Sequence, residues 1–275
     1  MVACMSLNVS SRLAVERVDV GLADGLPAGA STIEAWPVST ATYVVSARLG
    51  QGTFGQVFAA WRQSNWESPM QVALKVTPRH ALKVSRELEM MLLLRRNPHP
   101  SIMTLFEYFC VPSMAHADAP LMLLCQVMPL CRMSLRDFVL EAVARMGQAS
   151  RLAFARHIGA EVADGLAHLH SMHIAHRDLK PENVLICTND DISWVPPHGI
   201  RCLIADFGCA KPINMGPDNR GTTPSCCLVY APIYRAPELY WGSTSYSFSP
   251  DVWAFGCVVV RPNRVEPAHR IGEDL

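Results

Sequence analysis

His176-Arg177-Asp178-Leu179-Lys180-Pro181-Glu182-Asn183 and, further on, Asp206-Phe207-Gly208 decide how this chain of 275 residues folds. Val184-Leu185-Ile186 follows the first segment directly, and Cys202-Leu203-Ile204-Ala205 runs into the second. Both runs are short and apolar and read as a pair of strands. Such a pair brings Asp178, Asn183 and Asp206 to one end of a small sheet. Carboxylate and amide oxygens are the hard donors that Mg²⁺ takes, and Lys180 supplies a cation for phosphoryl oxygens. Between the strands, Thr188 to Gly199 is polar and contains Pro196 and Pro197, so it should bulge outward as a surface loop.

Upstream of this stretch, Leu152, Ala155, Ile158, Val162, Leu166 and Leu169 recur at three- and four-residue steps. They predict a helix over Arg151 to Ser171 with a core-facing stripe. Nearer the start of the chain, Leu49-Gly50-Gln51-Gly52-Thr53-Phe54-Gly55-Gln56-Val57 carries a G-x-G-x-x-G pattern. Alone that pattern is weak, since in dinucleotide-binding folds it opens a helix. Here β-branched and aromatic residues lie on both sides, which predicts a strand–turn–strand flap whose glycines let backbone approach phosphate. Val72-Ala73-Leu74-Lys75 is a further strand, and Trp61 to Pro69 should form an enlarged turn before it. A helix is expected over Ala81 to Arg96, where Glu87, Met90, Met91 and Leu94 share one stripe. Glu87, at the edge of that stripe, can face Lys75; Glu89 is the rival, and its own stripe would bury Arg96. Ser101 to Phe109 and Leu121 to Val127 read as two more strands. Residues 1 to 42, broken by glycines and prolines, read as a flexible extension on which Trp36 either docks or stays loose.

Composition narrows the classes. Half of the residues are hydrophobic and the net charge is zero, so a sizeable core is available and no basic stripe points to nucleic acid. The longest apolar runs, such as Met90 to Leu94, are far short of a membrane span. Arg12, Glu16, Arg17 and Asp19 interrupt the first twenty residues, so no secretory signal is read. The ten cysteines include no C-x-x-C pair and sit mostly in apolar contexts. They read as reduced thiols of a cytoplasmic or nuclear protein. His168, His170, His173 and His176 do not share one helical face, which argues against a metal cluster.

The two segments quoted first resemble the catalytic loop and metal-binding turn of eukaryotic protein kinases. The glycine pattern, Val72 to Lys75, and Tyr234-Arg235-Ala236-Pro237-Glu238 resemble further signatures of that family, in the same order. The resemblance implies an α+β, two-lobed kinase-like fold. The small antiparallel lobe with one helix would span 43–127, and the mainly helical large lobe 128–260. That lobe would lack its last helices, and 261–275 would be an unrelated polar tail. It implies ATP and Mg²⁺ as cofactors and transfer of the γ-phosphoryl group to protein hydroxyls. Asp178 would accept the hydroxyl proton and Lys180 would offset γ-phosphate charge. Asn183 and Asp206 would hold the metal, and Lys75, fixed by Glu87, would orient the phosphates. Leu49, Gly50, Gly52, Gly55, Val57, Ala73, Gln126, Met128 and Leu185 would line the nucleotide, with Cys125 controlling access behind it.

Lys180 two residues after Asp178 resembles the serine/threonine type, and the Tyr234 to Gly242 segment resembles the cyclin-dependent, MAP and glycogen synthase kinase-like group. Asp251 would brace the catalytic loop. Arg177 would pair with a phosphate placed on the activation segment by an upstream kinase, with Thr222, Thr223, Ser225 and Tyr230 as candidate acceptors. Protein substrates are the implied partners; nucleic acid and membrane are not. Two departures stand out. Ala231 lies where the family usually has a Ser or Thr, and Pro232 where this group often has Arg. Three outcomes follow: an active kinase, a kinase-like module that binds nucleotide but transfers little, or a fragment that does not fold alone.

Overall fold

Apolar residues alternate with polar ones from Tyr43 onward, and in a computed structural model of the chain these runs become strands. The structure describes residues 6–7, 41–52, 55–64, 67–79, 86–112, 122–142, 145–188, 200–213, 230–243 and 247–260. Two compact units result, one of Met1–Arg96 with Thr104–Leu130, the other of Asn97–Met103 with Cys131–Leu275.

The first unit is a six-stranded antiparallel sheet. Its strands are β1 (Ser6–Leu7), β2 (Thr42–Gly52), β3 (Gly55–Ser64), β4 (Glu67–Arg79), β5 (Glu107–Pro112) and β6 (Met122–Pro129). Their spatial order is β1-β2-β3-β4-β6-β5. Within the stretch expected to be a flexible extension, Ser6–Leu7 thus adds an edge strand. One face of the sheet buries Tyr43, Ala60, Val72, Leu74, Phe109, Cys125 and Val127 as a continuous core. Tyr43 and Phe109 stack there with ring centroids 5.1 Å apart. The glycine pattern forms the predicted hairpin, with Gly52 opposite Gly55. Gly55 is required by close approach: a Cβ there would lie 2.4 Å from the Val76 carbonyl oxygen.

Trp61 to Pro69 is not an enlarged turn. The two strands continue outward, Trp61 opposite Gln71 and Ser64 opposite Glu67, with a register shift between Arg62 and Ser64. Pro69 is tolerated because β4 pairs with β6 only from Val72 onward, so Pro69 breaks no ladder on that side. Helix α1 (Arg86–Arg96) covers the described part of the expected helix, residues 80–85 lying outside the described set, and buries Glu87, Leu88, Met90, Met91 and Leu94. Acidic residues in its first turn and Arg95 and Arg96 in its last suit the helix dipole.

The second unit contains two small sheets among helices. One is three-stranded, of order β10 (Ile200–Ile204), β9 (Val184–Thr188) and β7 (Met133–Ser134); the other pairs β8 (Ile174–Ala175) with β11 (Lys211–Pro212). Its helices are α2 (Leu135–Glu141), α3 (Gln148–Ser171), α4 (Pro237–Tyr240) and α5 (Ser249–Val260). Ser101 to Met103 was expected in a strand of the small lobe; instead it joins this unit. Met103 N–H donates to the Ile204 carbonyl (2.9 Å), and Ile204 N–H donates to that of Ser101 (2.9 Å).

Helix α3 buries Phe154, Ala155, Ile158, Val162, Leu166 and Leu169, while Leu152 is 49% exposed, so Phe154 takes its place in the stripe. Gly165 lets α3 approach the sheet: a Cβ there would lie 3.0 Å from the Ser101 carbonyl oxygen and 3.2 Å from Ile204 Cδ1. Helix α5, apolar all round in sequence, buries only Pro250, Asp251, Ala254 and Val258 and leaves Val252, Trp253 and Val260 exposed. Cys131 and Cys187 form a disulfide, which departs from the expectation of reduced thiols. They lie 56 residues apart in sequence and meet only because the segment around Cys131 pairs with β9. Cys125, Cys202 and Cys209 are free thiols.

Candidate active site

Antiparallel pairing of β9 with β10, Val184 opposite Ile204, sets the positions of Asn183 and Asp206 in the second unit. Asn183 ends the turn before β9 and Ala205 follows β10, and the Ala205 N–H donates to the Asn183 carbonyl at 2.8 Å. The two candidate metal donors, Asn183 and Asp206, therefore leave adjacent strand ends. Asp206 adopts φ 63°, a left-handed conformation, and its carboxylate accepts from the Gly208 N–H. That conformation is costly for a non-glycine residue and persists where surrounding bonds impose it.

Asp178 and Lys180 meet in the same loop. Lys180 Nζ donates to Asp178 Oδ2 at 2.6 Å. The Asn183 amide nitrogen donates both to that oxygen (3.0 Å) and to the Asp178 carbonyl (2.8 Å), so its own amide oxygen is what it can offer a cation. Burial alone would lower the Lys180 pKa, but the hydrogen bond and charge of Asp178, helped by Asp206 and Glu182, raise it. Lys180 therefore stays cationic at neutral pH. Cys209 nearby has its thiol pushed up by burial and by the Asp178 and Asp206 carboxylates, so it stays protonated and inert.

His176 and Asp251 fix the loop from beneath. The His176 Nε2 lies 3.0 Å from the Ala205 carbonyl, which can only accept, so that nitrogen carries the proton. Its Nδ1 then accepts from the Asp178 N–H at 3.3 Å. Asp251 is completely buried at the first turn of α5. It accepts from the backbone N–H groups of His176 (2.8 Å) and Arg177 (2.9 Å), matching the brace the resemblance implies. It also accepts from His170 Nε2 (3.0 Å) and the Tyr230 hydroxyl (2.6 Å), neither of which the sequence assigned to it. Tyr230, a candidate phosphate acceptor, is only 4% exposed and closed off by this bond. Arg177 directs its Nε at the Cys209 carbonyl (2.7 Å). Thr222, Thr223 and Ser225 lie outside the described residues. Leu185 is half-buried in β9, opposite Leu203 and Ser134.

The first unit holds the expected pair of Lys75 and Glu87. Lys75 Nζ lies 2.5 Å from Glu87 Oε1, whereas Glu89 is exposed, so α1 presents Glu87 to β4 as its periodicity predicts. Ala73 and Lys75 alternate with the core residues Val72 and Leu74 and therefore face away from that core. Val57, opposite Lys75, and Met128, opposite Ala73, share their face. Gln126 lies opposite Lys75, and neither polar atom of its buried amide has a partner. An orphaned amide costs about 1–3 kcal/mol, and a polar ligand on this face would relieve it. Cys125 belongs to the opposite, core face, where burial pushes its thiol up to about 12. Its expected place beside the nucleotide is not what the register gives. Leu49 is half-exposed and Gly50 is open to solvent, while Gly52 and Gly55 close the hairpin.

These arrangements suit the groups the sequence implies. One carboxylate and one amide oxygen match a Mg²⁺ site, in which water and phosphate complete the shell. The His/Cys/Asp/Glu groupings of a dedicated metal centre are absent among the described residues.

The model of the protein kinase domain family matches residues 43–270, and the chain belongs to that family. It is similar to a probable cell division protein kinase of Encephalitozoon cuniculi, with 28% identity over 82% of this chain and 72% of the relative. Protein kinase MCK1 of Saccharomyces cerevisiae is 31% identical over 77% of this chain and 51% of its own length. A probable serine/threonine-protein kinase of Dictyostelium discoideum, glkA, is 26% identical over 79% of this chain. The chain spans about half of the yeast relative and 39% of the Dictyostelium one.

Proposed function

We propose that this chain is an ATP-dependent serine/threonine protein kinase that transfers the γ-phosphoryl group to protein hydroxyls. The observation that carries the reading is the convergence of Lys180 and Asn183 on one oxygen of Asp178, beside the strand end that carries Asp206. Asp178 Oδ2 is engaged by these two donors, and Oδ1 is the oxygen that receives the substrate hydroxyl proton. Lys180 stays protonated and offsets charge on the transferred group. Asn183 and Asp206 hold Mg²⁺, which neutralises phosphate charge when bound. In the first unit Lys75, fixed by Glu87, binds the α- and β-phosphates, and the Gly50 to Gly55 hairpin offers its backbone to them. Leu49, Val57, Ala73, Gln126 and Met128 of that unit take the nucleotide. Positioning and electrostatics supply the catalysis. The name of the Dictyostelium relative and Lys180 two residues after Asp178 support the serine/threonine type.

Protein substrates and an upstream kinase acting on the activation segment are the partners this reading requires, in the cytoplasm or nucleus. No described helix is long and apolar enough to cross a membrane. Purified protein incubated with Mg-ATP and a generic protein substrate should incorporate phosphate, and Asp178→Asn should slow it by about 10²–10⁴-fold. Absence of incorporation by the unaltered chain overturns the reading.

One observation favours a second reading, a kinase-like module that binds nucleotide without turnover. Ala231 carries no hydroxyl at the position where the family usually has one. Thermal stabilisation by ATP with no phosphate transfer would select this alternative.

A further inference from the structure

We infer that Tyr230 is a positioning residue for phosphoryl transfer, holding the Arg177–Asp178 peptide through Asp251 and through its own backbone. The inference rests on the kinase reading above and goes beyond it. All three polar groups of Tyr230 are committed. Its hydroxyl donates to Asp251 Oδ1 at 2.6 Å, the oxygen that also accepts the Arg177 N–H at 2.9 Å. Its N–H donates to the Arg177 carbonyl at 3.2 Å. Its own carbonyl accepts from Arg235 Nη2 at 3.0 Å.

The Arg177 carbonyl and the Asp178 N–H belong to one peptide group. Tyr230 holds the first and His176 Nδ1 holds the second at 3.3 Å. The plane of that peptide sets the direction in which the Asp178 side chain leaves the backbone. Arg177 and Tyr230 both adopt φ 66°, which side chains other than glycine disfavour. Two such residues bonded to each other describe a conformation imposed by its contacts and lost with them. Residue 231 is alanine, so no hydroxyl there can tie this end of the segment to the loop. Tyr230 reaches the same loop from one position earlier, through Asp251.

Tyr230→Phe keeps the buried ring and deletes only the phenol oxygen, which separates positioning from packing. In the full chain, kcat should fall roughly tenfold, the scale of one charge-assisted hydrogen bond, with KM for ATP unchanged. In combination with Asp251→Asn the two losses should be non-additive, the double variant being no slower than Asp251→Asn alone. Amide hydrogen exchange of the peptide spanning His176 to Asp178 should quicken in Tyr230→Phe, whether or not the protein turns over. An unchanged kcat in an active protein, fully additive losses, or unchanged exchange in the loop overturns the inference. If the unaltered chain transfers no phosphate, the kinase reading fails and the exchange measurement alone decides the role of Tyr230. The same measurement decides it if Asp251→Asn does not fold.

Discussion

Asp178 and Asp251 lie in one unit, each at the centre of a hydrogen-bond cluster, and the two clusters are built on opposite plans. The partners of Asp178 are Lys180 and Asn183, two and five residues away. Those of Asp251 lie 21 to 81 residues away. The Asp178 side chain remains 16% exposed beside a cation, whereas that of Asp251 is fully buried. A buried carboxylate stays ionised when its oxygens are filled with donors, and four donors fill these. The contrast separates a carboxylate kept reachable for chemistry from one spent on holding the chain.

Four experiments would break or sharpen that contrast. The largest effect is expected from Asp178→Asn: a loss of about 10²–10⁴ in kcat, the range for an acid–base group, with the melting temperature nearly unchanged. If Asp178→Asn unfolds the protein instead, the distinction between the two aspartates fails. Asp251→Ala strands two loop N–H groups and the Tyr230 hydroxyl in a buried site. It should cost on the order of 3 kcal/mol of stability, seen as a lower midpoint in urea; a midpoint at the unaltered value would show that the four bonds contribute nothing net. Glu87→Gln, in the other unit, should lower kcat/KM for ATP roughly tenfold, about 1.4 kcal/mol. Titrating ATP under single-turnover conditions tests this, and an unaffected KM would detach the Lys75 pair from nucleotide binding.

The smallest effects lie in the pH dependence of stability. Burial would raise the Asp251 pKa, but the His170 hydrogen bond, the nearby His176 ring and the Tyr230 hydroxyl hold it below its ordinary 3.8. A depressed folded value gives stability that is complete above 3.8 and is lost as pH falls below it. Tyr230→Phe removes one lowering influence, so its acid decline should be shallower and level off at a higher pH. Lys180 is the mirror case. Its pKa is raised above 10.5, so its contribution is complete below that value and is lost as pH rises above it. Melting temperatures recorded at both extremes would show an acid limb sensitive to residue 251 and an alkaline limb sensitive to residue 180. Limbs that ignore both substitutions would refute these assignments.

The same contrast explains what the sequence could tell. Asp178, Lys180 and Asn183 are close in the chain, so their convergence is readable from spacing. Glu87 was readable because a helix repeats every 3.6 residues, which sets it apart from Glu89. The β9–β10 hairpin was readable from its two apolar runs. Four features were not readable, because each depends on a partner far along the chain. Pro69 sits in a strand because β6 stops short of it. Ser101 to Met103 leaves the first unit because Ile204 offers it a bridge. Cys131 finds Cys187 only through the sheet. Tyr230 finds Asp251 only once α5 has started beneath the loop. Leu152 shows the limit of periodicity itself, since the rest of the stripe was right but Leu152 was read as its first member where the structure buries Phe154.

Gly165 has a further consequence for how this chain can change. Along α3 most outward positions face solvent and should accept nearly any helix-forming residue. At 165 even a methyl group would crowd the Ser101 carbonyl at 3.0 Å and Ile204, two residues before Asp206, at 3.2 Å. Saturation mutagenesis of the helix should therefore reveal a single intolerant small-residue position among permissive neighbours, and its failures should appear as lost phosphate chemistry as well as lost fold.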